Sequence, residues 1–295
     1  MTKVLVTGAS GLIGKQVIND LVNENYDVYS CYHIEKPASG TKVPLDLSKQ
    51  DQIIDVVKSI KPDVVIHLAA ITDVDACEIQ RELARLVNVD ATKVLATESA
   101  KHNSFFVYVS TDYVFDGKNG MKNETDAPNP LNFYGRTKLD GEIAVIDSIS
   151  SYSIIRTSTP FGIHDKKKSF PLWIKENLEL KKETPVLIDQ FTSPTFVPNF
   201  SSMLIEIAVR RLNGIMHVAG ATRISRYKFA QLVADELNLD TTLLRPTKIA
   251  EMKWFARRPQ DSSLNVSKAF ATLNNKPQKI EESLAHFITQ VNTTS

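Results

Sequence analysis

The chain predicts an α/β fold, a doubly wound parallel sheet with a smaller, discontinuous C-terminal lobe, and three observations carry that expectation. Apolar strand-like runs alternate with helix-periodic segments through the first half. The first of those runs, Lys3-Val-Leu-Val-Thr7, leads straight into Gly8-Ala-Ser-Gly11-Leu-Ile-Gly14, three glycines spaced three apart. Polar and reactive residues gather just after the strands, and ligands of such sheets sit beyond the carboxyl ends of the strands.

The elements follow in order. After the opening strand, Gly8 allows the turn, Gly11 lets the backbone approach a pyrophosphate and Gly14 lets the helix pack close to the strand. The free N–H groups and positive dipole end of that helix face the phosphates, so the stretch reads as the start of a Rossmann-type dinucleotide-binding unit. Val17, Ile18, Leu21 and Val22 form the buried face of the helix. Asp27–Tyr32 is a second strand and Lys42–Leu45 a short third. Residues 49–61 place Ile53, Ile54, Val57 and Ile60 at helical spacing before Lys61-Pro-Asp63 ends the helix. Val64–His67 is a buried strand, and 83–102 one long helix with Leu83, Leu86, Val87, Val94 and Leu95 on its apolar face. Phe105–Val109 is the next strand, 132–147 a helix and Tyr152–Arg156 another strand.

The second half is less regular. A helix falls within 160–190, near Phe170 and Trp173, and another spans Val197–Arg211. Gly214–Val218 is a strand returning to the sheet, Ser225–Leu237 a helix, and a Pro-containing segment precedes a last helix from Lys279 onward. The expected division puts 1–159 and 191–218 in the dinucleotide-binding domain, and 160–190 with 219–295 in a substrate-binding lobe.

Composition narrows the function classes. The chain has 295 residues, 42% hydrophobic and 23% charged, with a net charge of +1. That balance offers no electrostatic basis for binding nucleic acid or a membrane surface. The dense basic run Lys166–Lys168 reads as a solvated loop. No apolar run reaches the roughly 20 residues of a membrane span. The N-terminus enters a strand at once, leaving no room for a secretory signal, so a cytoplasmic location is expected. Cys31 and Cys77 read as small core residues in a reducing compartment, and no Cys/His spacing suggests a metal.

The strongest chemical pattern is Tyr134-Gly-Arg-Thr-Lys138 with Ser110-Thr111 upstream. Tyrosine and lysine four apart share one helix face. A neighbouring ammonium favours the phenolate, so Tyr134 is expected to have a lowered pKa and to trade a proton with substrate. Lys138 has further donors for a ribose hydroxyl, and the Thr111 hydroxyl can bind the same substrate oxygen. The pattern points to redox chemistry.

The motifs resemble those of the extended short-chain dehydrogenases/reductases and, more narrowly, the dTDP-4-dehydrorhamnose reductase family. The resemblance spans most of the chain. It rests on Thr7–Gly14, His67–Asp75 with Glu78, Asn88-Val-Asp90, Ser110-Thr-Asp-Tyr-Val-Phe-Asp-Gly117, Pro130–Glu142, Arg156-Thr-Ser158, Gln190–Thr195 and Arg258–Asn265. It implies reduction of the 4-keto group of a nucleotide-linked 6-deoxy sugar, with hydride from a nicotinamide and the proton from Tyr134. Lys138 would tune Tyr134, Thr111 would align the carbonyl, and Asn88 would support Lys138 through water. The cofactor contacts implied are Gly8, Ser10, Gly11, Leu12, Ile13 and Gly14, then Tyr32 and His33, Asp46 and Leu47 beside the adenine, Leu68, Ala69 and Ala70, and again Tyr134 and Lys138. Asp46 equally suits a helix cap or a turn ahead of Ser48. The substrate contacts implied are Thr111, Tyr113, Thr159, Thr192, Ser193 and Pro194, with Arg258 set to meet a pyrophosphate. Many bacterial members carry tryptophan where this chain has Thr159, so an aromatic sugar platform is absent.

Cys31-Tyr-His33 ends the second strand with Lys36 beyond and no carboxylate, which favours NADP while leaving NAD open. A homodimer is compatible with the resemblance. Two other readings stand beside the reductase. Sugar dehydratases of the superfamily need two carboxylates after the threonine, and here Asp112 is followed by Tyr113; an epimerase is less affected. The regulatory β subunit of methionine adenosyltransferase also shares the Ser110–Gly117 and Tyr134–Glu142 stretches, and segments around Ser225–Asn238 and Leu244–Pro246.

Overall fold

The computed structural model describes residues 1–166 and 168–294. Seven parallel strands form one sheet. They are β1 (Lys3–Thr7), β2 (Asp27–Tyr32), β3 (Thr41–Pro44), β4 (Val64–His67), β5 (Phe105–Thr111), β6 (Tyr152–Thr157) and the strand Gly214–His217. Their order across the sheet is Gly214–His217, β6, β5, β4, β1, β2, β3. The chain therefore moves outward from β1 to β3, returns to the other side of β1 at β4, and continues to the far edge. That reversal between β1 and β4 opens a crevice at their carboxyl ends.

Helices cover both faces. On one face α1 (Leu12–Asn23) packs against Val197–Val209 around Val17, Ile18, Leu21, Phe200 and Leu204. On the other, α2 (Gln50–Ile60), α5 (Ala91–Ala100) and α6 (Phe133–Ser148) enclose Ile53, Val57, Leu95, Tyr108 and Val145. Between them in sequence lie the short helices α3 (Val74–Ile79) and α4 (Arg81–Arg85). Burial of both faces explains why the strands are near-continuous apolar runs rather than alternating ones.

Several sequence expectations shift in detail. Val22 is 38% exposed and leaves the α1 face to Val17, Ile18 and Leu21. The expected long helix over 83–102 is α4 and α5 joined by a π-helical turn, Leu86–Asp90. Such a turn rotates the residues that follow; Leu83 ends 41% exposed, while Asn88 and Val89 are buried. β5 runs two residues further than its apolar stretch, because Ser110 and Thr111 continue the ladder with β6. The Pro-containing segment holds the strand Leu244–Thr247, paired in parallel with Thr184–Leu187, and the helix Ser267–Thr272. Isolated pairs and one-turn helices leave too little periodicity to read.

A separate apolar cluster gathers Phe161, Ile174, Phe229, Val233, Leu244, Leu284 and Phe287. It draws on the helices Phe170–Glu179, Arg226–Glu236 and Ile280–Thr294. Phe161 sits at its centre, in ring contact with Phe196, Phe229 and Phe287. Ala269 and Leu273, by contrast, pack with the sheet. Cys31 and Cys77 are both buried and free. No helix among the described residues is long and apolar enough to cross a membrane.

Candidate active site

A cavity of about 810 Å³ opens at the carboxyl ends of β1, β2, β4, β5 and β6. One end is built by the turn after β1. Gly8 has φ of 70°, and a side chain there would press on the Ala69 backbone at 2.8 Å. Gly14 brings α1 so close that a Cβ would stand 2.1 Å from the Gly8 carbonyl oxygen. Gly11 caps α1 without any side-chain hydrogen bond, and the first turn of α1 holds no acid. Its leading N–H groups are thus left for an external acceptor, the arrangement that receives phosphate. Gly8, Ser10, Gly11, Leu12, Ile13 and Gly14 all line the cavity, as do Tyr32, His33, Asp46, Leu47, Leu68, Ala69 and Ala70.

Asp46 forms the turn ahead of Ser48 and also lines the cavity, while Lys49 and not Asp46 stands at the N-cap of α2. Ser48 donates its N–H and hydroxyl to Asp46 Oδ1 at 2.9 and 2.7 Å, which holds the carboxyl below its usual range. The other oxygen lies 3.8 Å from His33 Nε2. One expectation is corrected here. A carboxylate does reach this end of the cavity: Glu35 lines it, three residues beyond β2. Lys166 meets Glu35 at 2.9 Å, arriving from a loop 131 positions later that sequence spacing could not place. Of the basic run, Lys168 pairs with Glu176, while Lys167 lies outside the described residues. The same loop is anchored where His164 Nε2 donates to the Ser10 carbonyl at 3.0 Å, and Lys15 meets Asp165 at 2.8 Å.

The other end is the β5 terminus and α6. Asn132 caps α6 by accepting the Gly135 N–H at 2.8 Å, and so sets the phase at which Tyr134 and Lys138 face the cavity. Thr111 closes that wall. Lys138 is 3% exposed and its ammonium lies 4.0 Å above the Tyr108 ring. Burial pulls its pKa from 10.5 to about 7, against an upward pull from Glu142. Burial also pushes the Tyr134 phenol up, and the Thr111 hydroxyl opposes it. The Tyr134 pKa is therefore raised and not lowered as the YxxxK spacing suggests, because desolvation is the largest influence on the buried phenol.

Asn88 does not line the cavity. At the π turn its amide oxygen accepts the Ile71 N–H at 2.8 Å, and its NH₂ donates to Ile71 O and to Thr137 Oγ1 at 3.1 and 3.0 Å. It ties the segment after β4 to the α6 residue preceding Lys138.

The remaining residues assigned to substrate are more dispersed. Thr159 lines the cavity in a left-handed conformation, φ 44°, which is rare for a β-branched residue. Tyr113 stands edge-on to Tyr134 with ring centres 6.0 Å apart. Thr192, Ser193 and Pro194 are buried behind the cavity wall. Ser193 donates its N–H to Ser158 Oγ and its hydroxyl accepts the Leu264 N–H, whereas Thr192 Oγ1 has no hydrogen-bond partner among the described residues. Arg258 forms a pair with Asp75 at 3.0 Å and stacks over Trp254.

Two residues to which the sequence reading gave no role in this site complete this side. Arg226 donates to Thr159 Oγ1 at 3.2 Å and lies over Phe170, and among the described residues it has no carboxylate partner in an ion pair. Burial pulls its pKa down, with Tyr113 and Asp112 opposing. Asp112 is buried, accepting from Thr111 at 2.9 Å and from Ser158 at 2.7 Å. Arg226 carries no local signal beyond following the cap Ser225, so only the fold reveals it.

Comparisons with known proteins agree with this architecture. The dTDP-4-dehydrorhamnose reductase of Aggregatibacter actinomycetemcomitans is 32% identical over 96% of this chain and 97% of its own. The methionine adenosyltransferase 2 subunit beta of Danio rerio is 32% identical over 90% of this chain and 83% of its own. The crystal structure of dTDP-4-dehydrorhamnose reductase from Bacillus anthracis in complex with NADP superposes with a TM-score of 0.90 at 30% identity, covering 98% of this chain and all of that one. The RmlD substrate binding domain family matches residues 1–293, and with relatives of this similarity over nearly the whole length, the chain belongs to that family.

Proposed function

We propose that the protein is an NADP-preferring reductase of a nucleotide-linked 4-keto-6-deoxy sugar, most simply a dTDP-sugar. The observation that carries this reading is the cavity itself, which has a phosphate-receiving helix start at one end and Tyr134, Lys138 and Thr111 converging at the other. NADP would be held by the Gly8–Gly14 turn, by Leu68–Ala70 and by the residues after β2 and β3, and when bound it supplies the hydride. The relatives point to the same class.

The chain's own residues then act as follows. Tyr134 holds its proton at working pH, because burial raises its pKa, and gives it to the alkoxide forming at the sugar C4. The Lys138 ammonium, set in a dry wall, stabilises the phenolate left behind. Thr111, whose hydroxyl donates to Asp112 before substrate enters, would turn that O–H to the substrate carbonyl and align it. Arg226 and Arg258, whose charges both act on Tyr113, offer guanidinium groups to the substrate diphosphate. Thr192, whose hydroxyl lacks a partner, is a further candidate contact. Asn88 braces α6 beside Lys138. The separate apolar cluster around Phe161 supports a division into a sheet domain of 1–159 and 191–218 and a lobe of 160–190 and 219–295, except that Ala269 and Leu273 of the lobe's helix Ser267–Thr272 pack with the sheet core.

The test is loss of nicotinamide absorbance on mixing the protein with NADPH and dTDP-4-keto-6-deoxy sugar, with NADH in parallel. Turnover with NADPH ahead of NADH supports the reading. Tight NADPH binding without turnover across several keto-sugars overturns it and favours a cofactor-binding regulatory subunit, the reading that the Danio rerio relative suggests.

A further inference from the structure

We propose that Glu142 and Arg156, an ion pair sealed beside Lys138, are positioning residues that keep the lysine an ammonium and lock the catalytic helix to the strand bearing Thr111. The inference deepens the reductase reading and rests on it for the role of Lys138.

Glu142 lies four residues after Lys138 on α6, so the two share a helix face. Its carboxylate is fully engaged. Arg156 reaches it as a fork from β6, Nε to Oε1 at 3.0 Å and Nη2 to Oε2 at 2.7 Å. Ser110, from the end of β5, donates its hydroxyl to Oε1 at 2.5 Å. Both partners are 2% exposed. One carboxylate thus joins α6, β5 and β6 next to the point where Tyr134, Lys138 and Thr111 meet. A buried fork of this kind fixes angle as well as distance, so it sets the rotation of α6 against the strand end.

It also sets charge. Lys138 makes no ion pair among the described residues. The titratable groups around it are Tyr134 and Glu142 on α6, Tyr108 on β5, Cys77 on α3 and His67 on β4, with Arg156 beyond Glu142. His67 is held neutral by burial, its pKa pulled to about 3, and bonds to Thr7 and Thr92. The Cys77 thiol is pushed up to about 11 and stays protonated. Glu142, in its ion pair with Arg156, is the one carboxylate among the groups named. It opposes the desolvation that would otherwise strip the proton from Lys138. Buried ion pairs are poor sources of stability, because desolvation offsets their attraction. The presence of this pair beside a reactive lysine is better explained by what it does to the lysine.

Two readouts test this. In reduction assays, the alkaline limb of the kcat profile follows loss of the Lys138 proton. Glu142→Gln should move that limb down by about one pH unit. Glu142→Asp keeps the charge on a shorter arm, so the limb should stay in place while kcat falls. Independently of turnover, NMR titration of lysine labelled with carbon-13 at Cε, assigned by Lys138→Met, should show the same downward shift in Glu142→Gln. If Glu142→Gln melts, the double replacement Glu142→Leu with Arg156→Met removes both charges in a form that cores commonly tolerate. Because Glu142, and not Arg156, is among the charges that act on Lys138, the shift should again be downward. An unmoved limb and an unmoved Lys138 titration in the folded variant would overturn the proposal, however far the rate falls. A Lys138 shift by NMR in a chain without turnover would keep the electrostatic role and reject the reductase.

Discussion

At the wall that bears Tyr134, the side chains of Lys138, Glu142 and Arg156 are almost wholly shut from water, whereas at the rim beyond β2 the side chains of Lys166, Glu35 and His33 stand in it. Both regions border one cavity and both hold a close ion pair, 2.7 Å inside and 2.9 Å at the rim. The pairs differ in what screens them. Water and salt weaken an exposed pair to within about 1 kcal/mol. In the dry wall, a charge that loses its partner has no solvent to turn to. The difference teaches where chemistry and where mere preference can be encoded: a proton can be held or moved at the wall, while the rim can only bias which ligand enters.

The largest effect that would break this contrast lies at the wall. Tyr134→Phe removes the proton donor but little volume, and kcat for reduction should fall by roughly 10²–10⁴. NADPH affinity should stay within a few-fold. Full turnover in that variant would remove Tyr134 from the reaction.

A second effect is pH dependence. The Lys138 pKa falls from 10.5 to about 7 in the folded chain. Its ammonium is therefore present below about 7 and lost above, so reduction by the enzyme should decline as pH rises through that value. Stability moves the opposite way. Between about 7 and 10.5 the unfolded chain binds a proton that the folded chain does not. This group accordingly contributes least to stability below 7 and more as pH rises. A kcat profile parallel to a melting profile would contradict the assignment.

Intermediate effects should come from the substrate side. Arg226→Ala should raise KM for the nucleotide sugar by about tenfold while kcat stays within about threefold, as expected for an interaction equal in ground and transition states. Arg258→Ala should act in the same sense but also loosen the Asp75 contact that holds the Ala256 N–H. An unchanged KM in both would take the diphosphate away from this side.

The smallest effect belongs to the rim. Lys166→Ala should uncover the Glu35 carboxylate and lower the preference for NADPH over NADH by about two- to threefold, with the change fading in high salt. A shift of a hundredfold would show that the rim is not solvent-screened.

The legible part of the protein is the part written in short range. The β1 turn, the alternating elements to β6, the cap and face of α6, and the pairing of Tyr134 with Lys138 all follow from neighbours within a few residues, since backbone geometry and helical period act locally. Their sequence therefore determined the parallel sheet, the phosphate-receiving turn and the YxxxK face. The tertiary structure decided the rest. Lys166 finds Glu35, Arg226 finds Thr159, and Arg156 finds Glu142 across gaps that no spacing rule spans. It also reversed the direction of the Tyr134 shift, because desolvation depends on everything packed around a group and not on the residue four positions away.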